Sequence, residues 1–251
     1  MSTVVFLGPS LDRDAAAGRL SAHYSPPARR GDIGAAAASG ARRIALIDGE
    51  FGQSLAVTVM EVRAAIESGA EVWGSSSMGA LRAAECGALG MRGAGWIFEQ
   101  YASGTLTADD EVALLFDPRS GQARTLPLVN LRWVVSVMQQ RRLLTPVTAT
   151  EVVRIGAALH FTERSRAALA SAAAGTTAEA PMQRVLAWME ENPEQCDRKR
   201  MDALILLERL AAAASTLPEC SPSQKPKQGA SAPCGLPNSP ASIASPFPAV
   251  R

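Results

Sequence analysis

Three short β-branched runs, each closed by a small or polar turn and followed by a helix-compatible stretch, restrict this chain to an α/β fold. Thr3-Val-Val-Phe-Leu7 runs into Gly8-Pro9-Ser10, Arg43-Ile-Ala-Leu-Ile47 into Asp48-Gly49-Glu50, and Ala70-Glu-Val-Trp-Gly74 into Ser75-Ser-Ser-Met-Gly79. Each has the length and residue types of a buried strand leaving through a turn. Helices are predicted over residues 11–20, 32–38 (Asp32 as cap, Gly40 as stop), 56–68 and 77–86. Tyr24-Ser-Pro-Pro27 must be extended, because proline bars a helix and restrains the residue before it. Strands alternating with such helices require crossovers, hence a parallel sheet in a three-layer core. Residues 112–116 and 123–126, bridged by Asp117-Pro-Arg-Ser-Gly121, predict an antiparallel hairpin added at a sheet edge.

After Pro127 the pattern turns helical, with candidates over 129–142, 148–160, 162–174, 182–191 and 197–214. From Thr216 onward the composition changes again: eight of the chain's 16 prolines lie there, interleaved with serine. Such a segment cannot offset its ordering entropy by burial and is expected to be disordered. The predicted organisation is an α/β core over 1–126, a helical segment over 127–215 and a disordered tail over 216–251.

A length of 251 residues suits one large domain or two small ones. A formal net charge of +1 argues against a surface built to grip nucleic acid. No apolar run reaches the ~20 residues of a membrane span, and residues 4–7 are too short for a signal peptide. A cytoplasmic protein is the expectation. Cys86, Cys196, Cys220 and Cys234 contain no CxxC spacing and read as reduced thiols, with no metal site implied. All but three of the 25 basic Lys and Arg residues are arginine, and no lysine precedes Lys199. A Ser–Lys pair or Schiff base within the first two-thirds of the chain is thereby excluded.

In open parallel sheets ligands bind beyond the carboxyl ends of the strands, so Gly8, Ser10, Asp48 and Gly49 are candidate site residues. They are also ordinary turn residues. The third turn is more specific. Strand, Ser75-Ser76-Ser77-Met78-Gly79, then helix is the layout of a nucleophile elbow with Ser77 at its apex. The Met78 amide and the helix N-terminus would serve an oxyanion, or bind a phosphate or carboxylate without chemistry; an N-cap serine is the plain structural alternative. Arg82 and Glu85 follow on one face with Met78, as a substrate-fixing arginine or a surface ion pair. The base for Ser77 is left open among His23, Asp48, Glu50, Glu85 and the acidic run Asp109-Asp110-Glu111. That run would also suit a hard cation, or simply face solvent. No cofactor is implied. Asn130 and Arg132 are polar candidates just after Pro127.

These motifs together resemble the TfuA-like family. The resemblance rests on Val5-Phe-Leu-Gly-Pro-Ser10, Tyr24-Ser-Pro-Pro-Ala28 with Gly31-Asp32, Ile47-Asp-Gly49, Ser77-Met-Gly-Ala-Leu-Arg-Ala-Ala-Glu85, Gly90-Met91 with Gly93, Ile97-Phe-Glu99 with Tyr101, and Asp109-Asp-Glu-Val112. It runs from about residue 4 to 132 and adds Tyr101 to the candidate substrate-binding residues. It implies a role beside a YcaO-type enzyme, which uses ATP to activate a backbone amide, in making thioamides in a precursor peptide or protein. The TfuA-like component would deliver sulfur. The elbow reading joins it there: if sulfur arrives as a thiocarboxylate on the C-terminus of a small ubiquitin-like carrier, Ser77 is the expected nucleophile at the acyl carbon. The alternative is a non-enzymatic docking or activating subunit of the YcaO enzyme. Relatives often carry a histidine after the Asp-Gly turn. Residues 56–61 hold none, which argues against a mechanism that depends on it.

Overall fold

The three apolar runs become the middle of one parallel sheet. In a computed structural model, which describes residues 2–52, 55–117, 119 and 121–215, they form β1 (Thr3–Phe6), β3 (Arg43–Leu46) and β4 (Glu71–Ser75). The extended segment before Pro26 is itself a strand, β2 (His23–Ser25), parallel to β1. A fifth strand, β5 (Arg92–Ala94), pairs with β4. The order is β2-β1-β3-β4-β5, all parallel. The proline- and serine-rich segment from Thr216 onward lies outside the described residues.

The crossovers cover both faces. On one, Phe6, Ile44, Leu46 and Val72 pack with α2 (Asp32–Ala38), α3 (Val59–Glu67) and α4 (Met78–Glu85) through Ile33, Val62 and Met78. On the other, Val5, Ala45 and Ile47 pack with Ala16 of α1 (Arg13–Ala17) and with Leu206, Leu207 and Leu210 of α11 (Arg198–Ser215). The last helix thus returns from the far end of the sequence to close the three-layer core. Between them run α5 (Trp96–Ala102), α6 (Leu128–Gln140), α7 (Pro146–Ala158), α8 (Arg166–Ala173), α9 (Glu179–Glu191) and the short α10 (Pro193–Cys196). Helices α6 to α10 share a separate apolar core around Leu131, Val152, Leu169 and Met182.

Three local expectations are corrected. The described residues of 112–126 add no hairpin to the sheet. They make one antiparallel bridge, Phe116 to Ala123, because Val112 is drawn into a cluster with Ile97, Tyr101 and Val129 in the helical layer. The edge belongs to β5, whose Gly93 leaves room for Phe98: a Cβ there would stand 2.1 Å from the ring. Asp32 opens α2 rather than capping it. Gly31 is the cap residue at φ 99°, and the Asp32 carboxylate accepts the Arg29 amide at 2.7 Å. Helix α8 starts at Arg166, later than Thr162, because the fully buried Arg164 guanidinium donates to the Gly156 and Leu159 carbonyls at the end of α7. Ser165 then caps α8.

Candidate functional site

The chain leaves β1 toward β2 on one side and later returns as β3 on the other. This reversal opens a crevice at the carboxyl ends of β1 and β3. Asp48 knits its floor. One carboxylate oxygen accepts the amides of Gly8 (2.9 Å) and Ser10 (3.1 Å), and the other accepts the Ser10 hydroxyl at 2.6 Å. Asp48 is 2% exposed; its carboxylate organises the β1 turn, and among the described residues it is hydrogen-bonded to no side chain but Ser10. Two glycines permit this closeness. A Cβ on Gly8 would stand 2.4 Å from the Pro27 ring, and one on Gly49 2.8 Å from Met78.

The turn from β4 into α4 is an elbow, but its strained residue is Ser76, at φ 66°. The Ser77 amide bonds back to the Ser75 carbonyl (2.8 Å) and to Ile47 (3.3 Å). This pulls the left-handed bend one residue earlier than the G-x-S-x-G template sets it. The buried Ser76 hydroxyl donates to Ser10 Oγ at 2.9 Å, joining the elbow to the Asp48 network. Ser75 faces the other way, with its hydroxyl beside the Ala94 (2.7 Å) and Asp202 (2.9 Å) carbonyls. Gly79 is a packing residue: a Cβ would lie 1.7 Å from the Leu46 carbonyl oxygen. That contact seats α4 directly on β3.

Ser77 occupies the N-cap position of α4 yet makes no side-chain capping bond. Its hydroxyl has no hydrogen-bond partner among the described residues, and it lines a cleft of about 260 Å³. The Met78 amide, in the first turn of α4, likewise bonds to no described acceptor, as helix N-termini commonly leave their first donors free. Pro9, Pro27, Phe51, Val112, Leu115, Phe116 and Phe161 make the walls largely apolar, and Asp48, Glu50 and Lys199 are the charged residues of the lining.

Lys199 is the cleft residue that sequence reasoning missed. It is 2% exposed. Its amide donates to Asn130 Oδ1 (3.2 Å) and its Nζ to the Val112 carbonyl (2.9 Å). Burial pushes the ammonium below its ordinary range, against the opposing pull of Asp48 and Asp197. The available signal was its rarity: it is the one lysine ahead of the tail in an arginine-dominated chain.

The other candidates lie elsewhere. His23 is exposed at the first residue of β2, the end of the sheet opposite the cleft, so the two are not brought together. Arg82 donates to the Val57 carbonyl at 2.7 Å and pairs with Glu85; both line a different pocket, beside Asp109. The Tyr101 hydroxyl is held by the Ala108 carbonyl at 2.8 Å, and its ring lies in the core. The acidic run does not converge: Asp110 pairs with Arg164 (3.1 Å) and Glu111 with Arg132 (2.7 Å). Asn130 bridges Asp197 and the Lys199 amide. Among the described residues no three His, Cys, Asp or Glu side chains are placed to hold a metal ion, and no helix is long and apolar enough to cross a membrane.

A family model described as TfuA-like protein matches residues 48–165. The matched span carries Asp48, Ser77, Val112 and Phe161 of the cleft and leaves the β1 turn and Lys199 outside it. No curated protein matches the chain.

Proposed function

The chain belongs to the TfuA-like family, and on that premise we propose that it serves backbone thioamidation beside a YcaO-type enzyme, releasing sulfide from a thiocarboxylated carrier protein through Ser77. The carrying observation is the Ser77 hydroxyl, without a hydrogen-bond partner among the described residues, in a largely apolar cleft beside the Met78 amide, which likewise bonds to no described acceptor. A hydroxyl that only capped the helix would bond to the amide two or three residues on, and this one does not.

The reaction is an acyl transfer in two halves. Ser77 Oγ attacks the thiocarboxylate carbon, and the Met78 amide donates to the oxygen that gains charge. The C–S bond breaks, the serine proton passes to sulfur, and hydrosulfide leaves an acyl-serine. Water then cleaves the ester, giving the carrier carboxylate and restoring Ser77. Sulfide leaves far more readily than an amine, so the step places a modest demand on the site. The largely apolar walls suit the uncharged part of a carrier's chain end.

The test is turnover of a small ubiquitin-like carrier ending in a glycine thiocarboxylate, with no YcaO enzyme present. Sulfide release together with conversion of the carrier to its carboxylate supports the proposal. Release only in the presence of a YcaO enzyme would make the protein a docking or activating subunit instead.

A further inference from the structure

We propose that Lys199 is the proton-transfer group for Ser77: as the neutral amine it takes the Ser77 hydroxyl proton, and as the ammonium it returns that proton to the leaving sulfur. This deepens the reading above and rests on it. Lys199 and Ser77 line the same cleft although they lie far apart in sequence. The lysine is delivered there by α11, the helix that returns to close the sheet.

The amine is held at both ends. Asn130 Oδ1 fixes the backbone at Lys199, and the Val112 carbonyl accepts one Nζ proton at 2.9 Å. No carboxylate is in salt-bridge contact with Nζ among the described residues, and two of its three ammonium donor positions stay free for the cleft. The charged groups facing it are Asp48 and Glu50 from the turn after β3, Asp197 at the head of α11, and Arg166 of α8 across a neighbouring pocket. Asp48 spends three of its acceptor positions on the β1 turn and Glu50 is paired with Arg29. Burial prevails, and the ammonium loses its proton more readily than an exposed lysine does. A buried lysine with a lowered proton affinity is the usual form of a lysine base.

The proton count closes. The neutral amine and the serine hydroxyl give ammonium and serine oxygen bonded to the acyl carbon. The ammonium proton then leaves on sulfur as hydrosulfide, and the amine is neutral again for the water step.

The experiment compares wild type, Lys199→Gln, Lys199→Arg and Ser77→Ala, each checked for a native melting transition. Two readouts are taken: sulfide release from the thiocarboxylated carrier, and the rate of Ser77 labelling by a fluorophosphonate across pH 6–10. The expectation is a wild-type labelling rate that rises with pH. Both lysine variants should be slowed at least a hundredfold with that rise abolished, because arginine keeps the charge but cannot give up its proton. Should a lysine variant fail to fold, Lys199→Ala with added ethylamine replaces it, and rescue that follows the neutral amine fraction supports the role. Lys199→Arg at the wild-type rate, or an unchanged pH profile in Lys199→Gln, would overturn the inference while leaving Ser77 as nucleophile. Full sulfide release by Ser77→Ala would overturn the nucleophile reading, and this inference with it.

Discussion

The Ser10 hydroxyl donates to Asp48 Oδ1 at 2.6 Å while accepting the Ser76 hydroxyl at 2.9 Å. One side chain therefore links the turn after β1, the turn after β3 and the strained residue of the elbow. Removing it deletes a bond to a carboxylate and leaves the fully buried Ser76 hydroxyl without its acceptor. Ser10→Ala is expected to cost about 2–3 kcal/mol, read as a lowered urea midpoint with an unchanged m-value. Sulfide release should also slow in the variant at temperatures where it stays folded, because the elbow loses its tether. A loss under 0.5 kcal/mol would mean the network contributes little.

Two glycines in helices should respond in opposite directions. At Gly79 an added methyl would sit 1.7 Å from the Leu46 carbonyl oxygen, so α4 must move off β3. Gly79→Ala should lose about 3 kcal/mol or more. Gly34, inside α2, has no atom within 4 Å of such a methyl, and Gly34→Ala should gain about 0.5–1 kcal/mol from helix propensity alone. Thermal melts of the two variants check both signs.

Burial of Lys199 carries a signature in stability. Its folded-state pKa lies below the ordinary 10.5, so between the two values the unfolded chain binds more protons than the folded one. Stability attributable to this group therefore rises with pH across that window, by at most about 1.4 kcal/mol per pH unit. The thiols Cys86 and Cys196 and the phenol of Tyr101 are raised by burial and act in the opposite sense on the alkaline side. They are common to wild type and Lys199→Met, so the difference between the two isolates the lysine. Denaturation from pH 7 to 10 should show wild type gaining on the variant. A constant difference would mean Lys199 titrates like an exposed lysine.

Much of the core was legible because its signals are local. Thr3–Phe6, Arg43–Leu46 and Glu71–Ser75 are β-branched runs with turns behind them, and the crevice between the first two follows from the reversal of strand order there. Arg92-Gly-Ala94 escaped because three residues around a glycine carry almost no strand propensity; it pairs because β4 offers it a free edge. The elbow was found but displaced by one residue, since which serine takes the positive φ is decided by amide bonds to Ile47 and Ser75. Lys199 was invisible for a different reason. Its place in the cleft depends on α11 folding back across the sheet, a tertiary fact that no window around residue 199 contains. Tyr101, Asp110 and Glu111 show the converse: residues suggestive in sequence make contacts within the helical layer, to the Ala108 carbonyl, Arg164 and Arg132.

The account stands most directly on Ser77. Its test is the rate of sulfide release from a thiocarboxylated carrier by wild type and Ser77→Ala, with folding of both confirmed by their melting transitions. Loss of a covalent route should lower the rate by several orders of magnitude in a variant that remains folded. If the hydroxyl only contributed one hydrogen bond to a bound anion, the loss would be about 0.5–1.5 kcal/mol, roughly tenfold or less. A drop of orders of magnitude with native stability is the predicted result; equal rates in the two proteins would contradict the assignment of Ser77 as nucleophile.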